Sequence, residues 1–161
     1  MSVIWTPTVI GTDASLWLDS SVPESITISS GVIAELADLS GNARHATQST
    51  AAMRPAVLPN DLNGLDVIQF ASTSSSNKKS MTTPEFIDSP SPSVFLVAKS
   101  QSSATPSFFF SDAGPSITTW LYISANSGSF LGLVRDSANQ TISASHGSPA
   151  GLDYFVGSFL L

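Results

Sequence analysis

The residues best suited to chemistry are concentrated in one stretch, residues 38–55, which reads DLSGNARHATQSTAAMRP. It places Asp38, Arg44 and His45 within eight positions, in a 161-residue chain that has two histidines and six basic residues. An aspartate close to a histidine is the pattern used for general acid–base catalysis and for metal binding. A metal site needs three or four ligands that converge in space, and His146 is about 100 residues away.

The same stretch also carries a turn signal. Gly41 and Asn42 both tolerate a positive φ, which tight turns require. Asp38 stands just before them and is placed to accept hydrogen bonds from backbone N–H groups across the turn, while Arg44 is placed to pair with Asp38. We therefore predict a structural turn from these four residues and keep His45 as a candidate for contact with a ligand.

Other catalytic arrangements are missing from the sequence. The chain has no cysteine, and its many serines include no Gly-x-Ser-x-Gly nucleophile elbow. Glycoside hydrolysis needs two carboxylates roughly 5–10 Å apart. Glu24, Glu35 and Glu85 are isolated, and no acidic pair occupies alternate positions of a strand-like run. The sequence therefore predicts a protein that is not an enzyme.

A calcium site has little support in the sequence. Calcium takes oxygen ligands from Asp, Asn and backbone carbonyls, often supplied by closely spaced acidic residues. The nearest approach to such a cluster is Asp61, Asn63 and Asp66 around Gly64, and a hairpin turn explains these residues better. We predict no metal and no cofactor.

The aromatic residues offer a candidate sugar-binding surface. In the run TTWLYIS (118–124), Trp120 and Tyr122 alternate with apolar residues, so that they share one face of a strand. We take these two residues as candidates for stacking against a sugar ring.

The composition excludes several classes of partner. Charged residues make up 11% of the chain, against about 25% in a typical domain, and serine and threonine fill much of the difference. A net charge of −6 and a pI near 4.5 argue against nucleic-acid binding, which needs a basic patch. The first residues do not form a secretory signal, and no apolar run approaches the roughly 18 residues of a membrane span. We expect a protein made in a cytoplasm, without contact with a membrane.

Short runs rich in β-branched and aromatic residues recur along the chain and predict strands. One run, GVIAELAD, has a weak helical spacing, but its Gly and its Val-Ile pair favour a strand. The apolar run VFLV (94–97) is typical of a central strand covered on both sides. The pattern predicts an all-β sandwich or jelly roll. The predicted strands lie in 15–19, 25–29, 31–38, 65–70, 93–99, 107–111, 118–124, 129–134, 141–145 and 153–161.

Three segments together resemble a known family. They read SLWLDSSVPESITISSGVIAELADLSGNARHATQSTAAMRPAV, LNGLDVIQF and SPSVFLVAKS. Their order, from the Leu-Trp-Leu-Asp opening through the SGN-x-R-H-A-T turn to the VFLV strand, resembles the LamG-like jelly-roll family of the concanavalin A-like lectin/glucanase superfamily. The Trp-Thr-Pro near the initiator Met looks like the forms encoded in bacteriophage structural genes. The resemblance covers residues 5–100 well and the rest loosely.

The resemblance implies a single domain over residues 1–161, folded as a two-sheet antiparallel jelly-roll sandwich. Family members bind carbohydrate or build surface-exposed modules, and the glucanase members carry paired acidic residues that this chain lacks. We expect a non-enzymatic virion protein of a tail fibre, tail tip or capsid decoration, made in the host cytoplasm. Its expected partners are other virion proteins or further copies of itself, together with a cell-surface glycan. The alternatives are a free-standing carbohydrate-binding module and a glucanase-type enzyme.

The chain ends on an apolar run, GLDYFVGSFLL. Family domains usually continue past this point with further strands. An edge strand of this composition exposes backbone groups and apolar side chains. Residues 153–161 are therefore a central strand, or are covered by another chain, or belong to a longer protein. We favour cover by a partner subunit or a truncated chain.

Overall fold

The computed structural model describes residues 13–71 and 78–86, together with six strand segments at 93–98, 107–113, 120–126, 129–135, 141–147 and 155–160. These residues form eleven strands, short 3-10 helices at Pro23–Ser25 and Ala51–Met53, and no α-helix. Every ladder between the strands is antiparallel. The prediction of an all-β chain is confirmed for this part of the protein.

No helix in the described part is long and apolar enough to span a membrane.

The strand bounds follow most of the apolar runs in the sequence. The strands are β1 (Ile26–Ser29), β2 (Val32–Leu36), β3 (Ala46–Thr47), β4 (Ala56–Leu62), β5 (Leu65–Gln69), β6 (Ser93–Ala98), β7 (Ser107–Ala113), β8 (Trp120–Asn126), β9 (Ser129–Arg135), β10 (Thr141–Gly147) and β11 (Phe155–Leu160).

The chain divides into two compact units, Met1–Phe86 and Ile87–Leu161. The first unit holds a sheet in the order β1-β2-β3 and the hairpin β4-β5. The second holds a sheet in the order β10-β9-β8-β7 and the pair β11-β6. The expectation of a single domain over residues 1–161 stays a prediction.

Two hairpins of the first unit close with two-residue turns. Ser30 and Gly31 have φ values of 55° and 79°, and Asn63 and Gly64 have values of 51° and 83°. A positive φ at both central positions defines the type I′ turn, whose twist matches that of the flanking strands. The interpretation of the Asp and Asn residues around Gly64 as a hairpin turn is confirmed.

A small core lies beneath the first sheet. Ile33 is 0% exposed, and Leu36 and Ala46 are almost as deeply buried. The Ile33 backbone N–H donates to the Pro55 carbonyl at 2.9 Å, which ties β2 to the residue just before β4. Ile33 and Leu36 stand three positions apart on β2, and Leu36 pairs with Ala46 of β3. The buried apolar residues described in the first unit therefore lie on β2 and β3, together with Pro55.

The strand predicted for residues 15–19 is wrong. This segment is irregular and belongs to no ladder. The Trp17 backbone instead bonds to the loop after β2: its N–H donates to Asp38 Oδ1 at 3.0 Å, and its carbonyl accepts the Leu39 N–H at 2.8 Å. These contacts take the place that ladder bonds would have had.

The sequence also failed to predict β4. Pro59, Asn60 and Asp61 interrupt the strand pattern, because proline cannot donate a ladder bond and asparagine favours a positive φ. In the structure they lie within β4, where the pairing with β5 is irregular between Leu58 and Leu62. Asn60 has a φ of 58°. The irregular pairing accommodates Pro59 and Asn60, the residues that kept this strand from being predicted.

In the second unit, β11 pairs with β6, and Phe159 lies opposite Val94. The predicted strand near the end of the chain is confirmed over Phe155–Leu160. The prediction that residues 94–97 are covered on both sides is wrong, because Phe95 is 62% exposed and Val97 53% exposed. The expected cover of residues 153–161 by a partner subunit concerns side chains outside the described ones and stays a prediction.

Candidate functional site

Asp38 is a buried carboxylate at the centre of the loop that follows β2. Its Oδ1 accepts the backbone N–H of Trp17 at 3.0 Å and of Ser40 at 2.9 Å. Its Oδ2 accepts the Ser40 hydroxyl at 2.8 Å and the Arg44 backbone N–H at 3.1 Å. An ionised carboxylate has about four acceptor positions. The four donors therefore occupy the acceptor capacity of this side chain.

The hydrogen bonds decide the protonation state of Asp38. Burial opposes the charged form and by itself raises the pKa of this carboxyl. The donors from Trp17, Ser40 and Arg44 stabilise the ionised form and together outweigh burial, so that the pKa lies below its ordinary value of 3.8. A carboxylate with a lowered pKa is a weak base at neutral pH. Asp38 is therefore suited to holding a loop and poorly suited to taking a proton from a substrate.

The turn that encloses Asp38 contains two residues in the left-handed region. Gly41 has a φ of 91° and Ala43 a φ of 55°. Glycine adopts this conformation freely, but for alanine it costs about 1 kcal/mol. The Asn42 side chain, which lies between them, donates to the Ala14 carbonyl at 2.9 Å. The turn thus contains a strained residue, Ala43, and binds the segment that precedes β1 through the Asn42 side chain.

Arg44 contacts Asp38 through its backbone rather than its side chain. Its guanidinium Nη1 donates to the carbonyl of Ser15 at 3.2 Å and to that of Phe86 at 3.3 Å. A guanidinium is suited to this role because its rigid planar donors can reach two acceptors at once. Arg44 therefore joins the beginning and the end of the described first unit.

His45 completes the loop. Its Nδ1 accepts the Asp38 backbone N–H at 3.0 Å, and the ring is half-buried. An accepting Nδ1 carries no proton, so the neutral ring holds its hydrogen on Nε2. Only Nε2 remains to meet a ligand, and the ligand-contact role of His45 stays a prediction.

The sequence reasoning missed two of the residues that donate to Asp38, Trp17 and Ser40. Ser40 supplies two of the four donors to Asp38, from its backbone and from its hydroxyl. The spacing Asp-x-Ser was the available signal, because an aspartate often accepts bonds from the residue two positions on. Within the described residues, no group of three His, Cys, Asp or Glu side chains could hold a metal ion.

The other two candidate residues lie in the second unit. Trp120 and Tyr122 are alternate residues of β8, and β8 has β7 and β9 as its neighbours. Trp120 pairs with Arg135 of β9, and Tyr122 pairs with Leu133. His45 belongs to the first unit, so the sequence-predicted site residues divide between the two units.

Comparisons with known proteins identify no relative of this chain. No family model, no curated protein and no solved structure matches it. The resemblance carried by residues 5–100 therefore rests on their motifs, and the chemistry of the site rests on its own geometry.

The lowered pKa of Asp38 predicts how stability depends on pH. Because the folded-state pKa lies below the unfolded value, Asp38 contributes its full stability above about pH 5 and loses it as the pH falls through the folded-state value. The advantage of the wild type over an Asp38→Asn variant should therefore be constant from pH 7 to 5 and shrink between pH 4 and 2. Urea unfolding at each pH measures this difference. An advantage that does not change down to pH 2 would contradict the prediction.

Proposed function

We propose that this chain is a non-enzymatic structural protein of a bacteriophage particle, in a tail fibre, a tail tip or a capsid decoration. Its fold is a two-sheet jelly-roll sandwich of the concanavalin A-like type, and antiparallel all-β architecture supports this form. Its role combines assembly contacts with adhesion to a glycan of the host surface. The virion assignment draws on the resemblance of residues 5–100 to phage-encoded domains.

A structural role is supported by how the most reactive-looking residues are used. The Asp38 carboxylate receives four hydrogen bonds, and His45 Nδ1 receives one from the same loop. Groups that are committed to holding a loop are poorly placed to move protons on a substrate. The proposed function therefore depends on exposed surfaces of the protein and not on this loop.

The observation that carries the assembly role is the exposed apolar pair on β6. Phe95 and Val97 are alternate residues, and each is more than half exposed. Their register partners on β11 are Ser158 and Val156, so Val156 is the apolar position that the ladder adds to this face. Exposed aromatic and aliphatic side chains grouped on one face are typical of protein–protein interfaces. The proposed occupant is a second copy of this chain.

Sedimentation velocity tests the assembly role. The wild type is expected to form dimers or larger species at micromolar concentration, and the double variant Phe95→Ser, Val97→Ser is expected to be monomeric. Ile28→Ser is the matched control, because Ile28 is a comparably exposed apolar residue on β1 in the first unit. Its variant should associate as the wild type does.

Two outcomes would contradict the assembly role. One is a wild-type chain that stays monomeric at high concentration and is absent from particles purified from cultures that carry the gene. The other is an equal loss of association in the double variant and in Ile28→Ser, since a general loss of surface apolarity would then explain both.

A free-standing carbohydrate-binding module is the second candidate, and Trp120 and Tyr122 favour it. Their alternate positions on β8 put two aromatic residues on one face of a sheet. A glycan array distinguishes the candidates: binding without incorporation into particles supports a free module. Incorporation without binding supports a purely architectural protein.

A further inference from the structure

The four-stranded sheet of the second unit has one face with an unusual composition. In an antiparallel ladder, directly paired residues share a face, and so do alternate residues along a strand. Trp120 pairs with Ala113 of β7 and with Arg135 of β9, and Arg135 pairs with Thr141 of β10. The register thus places these four residues in one row. We call the face that contains this row the aromatic face.

The next rows of the aromatic face are rich in hydroxyl groups. Tyr122 pairs with Ser111 and with Leu133, and Leu133 pairs with Ser143. The positions of this face in the four strands are Phe108, Ser111, Ala113, Trp120, Tyr122, Ser124, Asn126, Ser129, Leu131, Leu133, Arg135, Thr141, Ser143, Ser145 and Gly147.

The opposite face is mostly apolar. Its positions are Ser107, Phe110, Asp112, Leu121, Ile123, Ala125, Phe130, Gly132, Val134, Ile142, Ala144 and His146. An antiparallel sheet commonly has one apolar face that packs on a core and one face that carries polar residues. The register thus gives the aromatic face the hydroxyl-bearing positions of this sheet and the opposite face most of its apolar ones.

Charge separates the two faces as well. Asp112 and His146 both occupy the apolar face, so among the described strand positions of the aromatic face Arg135 is the one ionisable residue besides Tyr122. The chain as a whole carries a net charge of −6, so a positive charge among hydroxyl-bearing positions differs from the overall charge of the protein. A guanidinium recognises a carboxylate through two parallel hydrogen bonds.

The spacing suits a small ligand. Directly paired residues such as Trp120 and Arg135 have Cα atoms about 5 Å apart, and alternate residues such as Trp120 and Tyr122 are about 7 Å apart. Indole and phenol rings supply flat apolar surface of the kind that the C–H face of a sugar ring can cover. The backbone positions of these three residues are therefore close enough together for one saccharide to span them.

We propose that the aromatic face binds an acidic sugar, a saccharide that carries a carboxylate. Trp120 and Tyr122 bind the ring, Arg135 binds the carboxylate, and the serine and threonine hydroxyls bind sugar hydroxyls. The proposal rests on the adhesion part of the proposed function and names its substrate class. A polyphosphate ligand is disfavoured because it needs several basic residues, and this face has one.

Calorimetric titration of the full chain tests the proposal with two probes, tri-galacturonic acid and the uncharged galactotriose. The wild type should bind the acidic trisaccharide at least tenfold more tightly. Arg135→Gln should abolish that preference, while its affinity for galactotriose stays within twofold of the wild type. Arg135→Lys should keep part of the preference, and Trp120→Ala should lose binding of both sugars.

Lys78→Gln is the matched control, because it removes the same charge from an exposed position in the first unit. It should bind both sugars as the wild type does. Thermal unfolding of each variant shows whether it folds, and Arg135→Lys keeps the test decisive if Arg135→Gln does not.

The outcomes separate this inference from the proposed function. Equal binding of both sugars by the wild type, or a preference that survives in Arg135→Gln, overturns the acidic-sugar proposal and leaves adhesion standing. Binding of neither sugar overturns the acidic-sugar proposal, and a glycan array without hits then overturns adhesion as well. The assembly role is judged separately by sedimentation.

Discussion

Replacement of Asp38 by alanine is expected to lower the free energy of unfolding by about 3–4 kcal/mol, a large effect for a single site. The change leaves three backbone N–H groups and the Ser40 hydroxyl without their acceptor. A buried donor left without a partner costs about 1–3 kcal/mol, and water that enters the vacated space offsets part of the sum. Urea unfolding at pH 7, followed by circular dichroism, measures the loss.

Asp19 provides the matched control. Its Oδ1 also accepts a backbone N–H and a hydroxyl, both from Ser21, but these contacts are exposed. Asp19→Ala should cost about 1 kcal/mol, because water replaces the lost acceptor. Asp38→Asn keeps the shape of the side chain but turns an amide NH₂ towards a donor, so its cost should fall between the two. Equal losses at Asp19 and Asp38 would show that burial adds nothing to the role of Asp38.

The reason for expecting so large an effect is that the loop holds a distant segment as well as itself. Trp17 is bound at both its N–H and its carbonyl by the Asp38 loop. The Asn42 side chain and the Arg44 guanidinium both reach the Ser15 carbonyl. Loss of Asp38 removes the centre of this arrangement, and segment 14–17 has no ladder of its own to keep it in place.

The sequence predicted the strands well where side-chain pattern alone determines them. Runs of β-branched and aromatic residues became β1, β2 and β5–β11, because such residues pack well on a pleated surface. The errors at residues 15–19 and in β4 have different physical causes. Residues 15–19 have strand-like composition, yet their backbone bonds go to a loop 21 residues away. In β4, Pro59 interrupts the strand pattern, and the irregular pairing with β5 accommodates it.

The candidate site divides in the same way. A turn around Gly41 could be predicted because it depends on the local freedom of φ. The left-handed φ of Ala43 and the use of the Arg44 backbone in place of its side chain could not, because both follow from the whole set of contacts to Asp38. Alternation likewise placed Trp120 and Tyr122 on one face, but their register with Arg135 is fixed only by the pairing of β8 with β9.

Truncation of Ile33 to alanine is expected to be the second large effect, a loss of about 3 kcal/mol in the free energy of unfolding. Ile33 is fully buried on β2, and its backbone is fixed by the bond to Pro55. Removal of its outer carbons loses their transfer free energy and leaves a cavity, which a rigid sheet can fill only in part. Urea unfolding of the full chain measures the change.

Ile28→Ala is the matched control for Ile33→Ala, because Ile28 is the register partner of Ile33 on β1 and is 57% exposed. Ile28→Ala removes the same atoms from the facing strand and should cost less than about 1 kcal/mol, since little buried area is lost. Similar losses at the two positions would mean that the apolar side chains of this hairpin contribute through strand propensity alone. A loss confined to Ile33 would instead place the stability of the first unit in the packing beneath β2, the strand that leads directly into the Asp38 loop.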